Sequence, residues 1–186
     1  TGCTSSASSS ATMNSVPGAP SLGGATSVCV GNIANVTPAM GGTWSSSNTS
    51  VASITNAGIV TGIAAGNTTL TFTDGTSNCT SEVPFTVYAA PVAGTLSGTQ
   101  NICVGGTTTF ASTTTGGTWS SDNVGVATIN VSTGAISGVT AGTATMTYTV
   151  TGTGGCANAT ATRTVTVTAA PVAGTLSGTQ NICVGG

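Results

Sequence analysis

Eighteen consecutive residues, AAPVAGTLSGTQNICVGG, occur twice without a change, at Ala89–Gly106 and again at Ala169–Gly186. The register is 80 residues, Ala89 to Ala169. A period of that size marks one small domain or supersecondary unit copied in tandem. The chain must therefore fold as a series of like units.

Two whole units can be laid over each other. SVCVG (Ser27–Gly31) matches NICVGG (Asn101–Gly106). GGTWSSSNTSVASI (Gly41–Ile54) matches GGTWSSDNVGVATI (Gly116–Ile129). GIVTGIAAGNTTLTFT (Gly58–Thr73) matches GAISGVTAGTATMTYT (Gly134–Thr149), and Cys79 answers Cys156. Within the units apolar and polar residues alternate over Thr69–Thr73, Thr143–Val150 and Ala159–Val167. Period-two alternation rich in β-branched residues predicts half-buried strands, and Thr on the polar face suits cross-strand hydrogen bonding. Gly-containing steps break the runs at sandwich-like spacing, and no helical period appears. About 80 residues is small but enough to close two sheets over one core. Trp44 and Trp119 fall at the same point of the repeat and are expected to anchor the two cores.

Composition removes most chemistry. The charged residues are Asp74, Glu82, Asp122 and Arg163, with no Lys and no His. General acid–base catalysis needs positioned titratable groups, and neither a His triad nor a carboxylate pair can be assembled from these. The chain does not read as an enzyme and implies no cofactor. With no His, no Cys-x-x-Cys and scattered acids, it implies no metal site. One Arg cannot neutralise a phosphate backbone, so nucleic acid is not an expected partner. No 18-residue apolar run is long enough to span a membrane. The net charge of −2 gives little repulsion against self-association. Disorder is opposed by a hydrophobic fraction of 38% that alternates in the chain. Six cysteines without metal spacing point to disulfides and an oxidising compartment outside the cytosol.

The motif T-W-S-S-(S/D)-N-x-x-V-A-(S/T)-I, followed by G-x-(V/I)-(T/S)-G-(I/V)-x-A-G, resembles the bacterial immunoglobulin-like group 2 domain. The resemblance covers both full units and implies a seven-stranded β-sandwich, used in tandem arrays on bacterial surfaces, in adhesins and stalks. The early (I/V)-C-V-G and the late cysteine depart from the plain family pattern. Repeats with these cysteines resemble those of very large secreted surface proteins of gliding and related Gram-negative bacteria. The expected organisation is residues 1–20 as the last strand of a preceding repeat, 21–88 and 89–168 as whole Ig-like domains, and 169–186 as the first strand of a following repeat. The chain thus reads as a window on a longer polypeptide.

The resemblance bears on the cysteines, for which two pairings stay open. One is a bridge inside each domain, Cys29–Cys79 and Cys103–Cys156. In the family fold, however, the early cysteine lies near the first turn and the late one in the turn before the last strand, at opposite ends of the sandwich. That favours the other pairing, Cys29 to Cys156 between neighbouring domains. Cys3, Cys79, Cys103 and Cys183 would then pair outside the chain. Asn35, Asn48, Asn67, Asn78, Asn130 and Asn158 head Asn-x-Ser/Thr triplets and are candidate glycosylation sites. The short Ala-Ala-Pro linkers at Ala89–Pro91 and Ala169–Pro171 favour extended backbone. The function expected is a structural module of a long extracellular filament or surface stalk, partnered by further copies of the same repeat. The alternative is an adhesin repeat that binds a glycan or a cell-surface protein.

Overall fold

The computed structural model of the chain describes residues 26–178. They divide into two compact units. The first holds 26–91 together with Thr151–Ala159, and the second holds Val92–Val150 with 160–178. Both are all-β, with no helix among the described residues.

The first unit contains β1 (Ser27–Cys29), β2 (Ile33–Asn35), β3 (Gly42–Ser46), β4 (Ala52–Ile54), β5 (Ile59–Gly62), β6 (Gly66–Asp74) and β7 (Thr80–Tyr88). One sheet runs β1-β7-β6-β3 and the other β2-β5-β4. This is the Ig-like sandwich. Strand β6 shows how the sequence specifies it. Thr68, Leu70 and Phe72 are buried, while Thr69, Thr71 and Thr73 between them are only partly covered. Alternate side chains of a pleated strand point to opposite faces, so the period in the sequence becomes the inward face. Leu70, Phe72, Phe85 and Val87 from one sheet meet Val36, Ala52 and Val60 from the other in one core. Each large side chain buried this way contributes roughly 1.5–3 kcal/mol.

The second unit contains β8 (Leu96–Ser97), β9 (Asn101–Cys103), β10 (Thr107–Thr109), β11 (Ala111–Ser112), β12 (Thr118–Ser121), β13 (Ala127–Ile129), β14 (Ala135–Gly138), β15 (Gly142–Val150) and β16 (Ala159–Thr168). Its sheets run β12-β15-β16-β9 and β10-β14-β13, the same order as in the first unit. Equivalent positions exchange bulk. Val36 and Phe85 of the first core become Phe110 and Val165 of the second, all four fully buried. A core tolerates such an exchange when total volume is kept. The short pair β8–β11 comes in addition to the seven strands that the family resemblance implies. Ala111 lies across from Ser97 and Ser112 across from Leu96.

Candidate functional site

Cys29 ends β1, which runs parallel to β7 and places Cys29 across from Tyr88. The chain then turns sharply. Asn32 N–H donates to Cys29 O at 3.0 Å, and Gly31, with φ +84°, donates its N–H to Gly62 O at 2.8 Å. A positive φ of this kind suits glycine. Cys156 sits in Thr151–Ala159, the segment that leads from β15 into β16 and belongs to the first unit. That loop is held from within. Gly152 N–H donates to Asn158 Oδ1 at 3.0 Å, and Cys156 N–H donates to Thr153 O at 3.0 Å. Gly154, with φ +59°, lies against the Tyr88 ring so closely that a Cβ there would overlap the ring carbons.

Cys29 and Cys156 are joined by a disulfide, with Cα atoms 4.9 Å apart and 127 residues between them in sequence. The separation is ordinary for a disulfide. Both cysteines are buried, and Cys156 Sγ rests 3.4 Å from Ala89 O, a contact without a proton. Of the two pairings left open by the sequence, the bridges Cys29–Cys79 and Cys103–Cys156 are not formed. Cys79 and Cys103 are free, the first half-buried and the second exposed. The reason is strand length. Cys29 stands beside Tyr88 at the end of β7, whereas Cys79 precedes Thr80 at its start. Eight residues of strand separate those ends, about 27 Å. Cys103, across from Thr168, is likewise at the far end of β16 from Cys156. Cys3 and Cys183 lie outside the described residues.

Trp44 and Trp119 are each 6% exposed. Trp44 tilts against Phe72 with ring centroids 5.2 Å apart, and Trp119 against Tyr148 at 4.8 Å. The six candidate asparagines, Asn35, Asn48, Asn67, Asn78, Asn130 and Asn158, are all exposed. Several are engaged locally: Asn130 Oδ1 accepts from Ser132 and Thr133 N–H, and Asn67 Oδ1 from Thr86 Oγ1.

Two polar arrangements were not legible in the sequence. Asp74 accepts from Thr76 N–H, Ser77 N–H and Ser77 Oγ, and Cys79 N–H donates in turn to Ser77 Oγ. The Ser77 backbone, then its hydroxyl, then the Thr76 backbone hold the Asp74 carboxyl below its ordinary value of 3.8. In the second unit Arg163 donates to Leu96 O at 3.1 Å and Gly98 O at 2.8 Å, with its guanidinium 5.4 Å from the Phe110 ring centre. Its Nε is buried without a partner. The chain's one basic residue thus closes β8 onto the second unit. Only its position in an alternating strand, where the first unit has Val83, signalled an unusual role.

The family model of the bacterial Ig-like domain (group 2) matches residues 32–87. No curated protein sequence matches the chain. Among solved structures, the chain is similar to surface layer protein SbsC, domains 1–6, at 19% identity, covering 83% of this chain and 28% of that one, with a TM-score of 0.36. It is also similar to the C-terminal 282-residue fragment of intimin, solved with the intimin-binding domain of its translocated receptor. There the identity is 14%, the coverage 84% and 64%, and the TM-score 0.49. A third is BT4661, a SusE-like surface located polysaccharide binding protein from the Bacteroides thetaiotaomicron heparin utilisation locus. That match has 15% identity, covers 78% and 33%, and has a TM-score of 0.33. The chain therefore spans less than a third of the surface layer fragment.

Proposed function

We propose that the chain is a structural module of a long extracellular bacterial filament or surface stalk, built from tandem Ig-like domains and stiffened by disulfides. The observation that carries this reading is the Cys29–Cys156 bond. In the repeat alignment it links the early cysteine of one copy to the late cysteine of the next. Applied again, the same rule gives Cys103 and Cys79 partners in neighbouring repeats, and both are free. A bond of that register ties each sequence repeat covalently to the next, so load along the array need not pass through the Ala-Ala-Pro linkers. The work is mechanical, in keeping with a chain that carries no His, no Lys and three acids. A disulfide also belongs in an oxidising compartment, which supports a location outside the cytosol.

Immunogold labelling of intact, unpermeabilised producing cells with an antibody to this chain tests the proposal. Gold in rows along surface fibres is expected. Label that appears only after permeabilisation overturns it. The alternative, an adhesin repeat, finds its support in a small cleft of the second unit.

A further inference from the structure

The two tryptophans occupy equivalent core positions, yet their indole N–H groups have different fates. In the first unit the chain after Val36 brings Pro38 O within 2.9 Å of Trp44 Nε1, which donates to it. In the second unit the chain after Phe110 is drawn into β11 by its pairing with β8. Ser112 Oγ donates to Ala93 O at 2.7 Å and fixes the segment further. No carbonyl then reaches the Trp119 indole, and its Nε1 has no hydrogen-bond acceptor among the described residues. What remains is a cleft of about 260 Å³ walled by Phe110, Trp119 and Tyr148 and rimmed by Thr115, Ser132 and Thr133.

The cleft is built rather than loose. Tyr148 Oη donates to Thr114 O and accepts from Gly117 N–H, each at 2.8 Å. Gly134, with φ +72°, packs beneath the indole, where a Cβ would overlap the Phe110 carbonyl and come 3.0 Å from Trp119 Nε1. No charged residue lines the cleft. We infer that this cleft is a binding site for one neutral sugar ring. A sugar hydroxyl supplies the acceptor that Trp119 Nε1 lacks, the Thr and Ser hydroxyls of the rim exchange hydrogen bonds with the other hydroxyls, and the small parts of Trp119 and Tyr148 that reach the surface give apolar contact to the ring's C–H groups. Pockets bind small molecules in this way, with an apolar wall and a few placed polar groups. The volume admits a single ring, and the absence of charge disfavours acidic sugars, which would be desolvated without a counter-charge. The inference goes beyond the structural role and does not depend on it.

The test uses the intact, oxidised chain labelled with nitrogen-15, whose two indole N–H cross-peaks report the two sites separately. The probes are the methyl glycosides of glucose, galactose, mannose and N-acetylglucosamine, with N-acetylprolinamide as a peptide-carbonyl probe. At least one glycoside is expected to move the Trp119 cross-peak saturably at millimolar concentration, while the Trp44 cross-peak stays in place. Trp119→Phe keeps an aromatic wall and loses the donor, and should weaken saturation transfer to that glycoside by about tenfold. If this variant does not fold, the unmodified chain decides alone. The inference is overturned if no glycoside gives a saturable shift or if both indoles move together. It is also overturned if only N-acetylprolinamide shifts Trp119, which would make the cleft a peptide site.

Discussion

Cys29 and Cys156 are 127 residues apart in sequence, and their Cα atoms are 4.9 Å apart in the fold. The loop their bond closes contains the whole of Val92–Val150, so the bond restricts the unfolded chain over most of its length. Cys156→Ser, or reduction, is expected to lower stability by ~2–4 kcal/mol. For a chain of this size that is a fall in melting temperature of about 5–15 °C, readable by calorimetry. Pulling on the two ends gives a second readout. The oxidised chain should stretch about 460 Å less than the reduced one. Equal extension with and without reductant would show that the bond carries no load.

Gly154 is expected to tolerate no side chain. Its φ of +59° strains any Cβ, and that Cβ would strike the Tyr88 ring. Gly154→Ala should cost roughly 1–3 kcal/mol, from backbone strain and overpacking together. Tyr88→Ala removes only the steric part. The double variant should therefore be more stable than the sum of the two single losses, and a double-mutant cycle measures the difference. Simple additivity would show that the ring contact is irrelevant.

Arg163 is the chain's only trypsin site, and it lies inside β16 with its guanidinium bonded to Leu96 O and Gly98 O. Cleavage requires that strand to open, so native protein should resist trypsin and be cut once, at Arg163, only under unfolding conditions. Arg163→Ala should cost about 1–3 kcal/mol, from lost charge-assisted bonds to two carbonyls. Hydrogen exchange would then rise first in β8 and β11. Exchange spread evenly over the second unit would refute this role.

Asp74 carries a folded-state pKa below its ordinary 3.8, because the Ser77 backbone and hydroxyl and the Thr76 backbone donate to the ionised form. A depressed carboxylate contributes stability that is fully present above the unfolded pKa and is lost as pH falls through the folded one. The turn before Cys79 should thus be unchanged from neutral pH down to about pH 5 and loosen only in stronger acid. The Ser77 and Thr76 amide shifts in an NMR titration check this, with Asp74→Asn as the flat control. A midpoint above 3.8 would contradict the geometry.

Much of the fold could be read from local pattern. The runs Thr69–Thr73, Thr143–Val150 and Ala159–Val167 lie within β6, β15 and β16, and their apolar positions face the cores. The pair β8–β11 could not be read this way. Ala111 and Ser112 carry no alternating signal, and their strand exists because Leu96–Ser97 lies opposite and Arg163 ties down that partner. The cleft beside Trp119 follows from the same pairing. It depends on where a carbonyl ends up, which no local motif encodes.

The duplicated segment separates the two levels. Ala93 and Ala173 share identical neighbours, as do Leu96 and Leu176. Ala93 is 5% exposed, and Leu96 is half-buried in β8 across from Ser112. That placement comes from the residues opposite, Ser112 and Arg163, and not from the repeated letters. By itself the sequence determined the repeat, the all-β class, the inward face of each long strand and the lack of charged chemistry. These follow from composition and from a two-residue period. Only the tertiary structure decided which cysteines meet and where the single Arg is used. Each of those depends on what lies opposite, and a pairing between distant residues is set by topology and strand length, not by the local pattern.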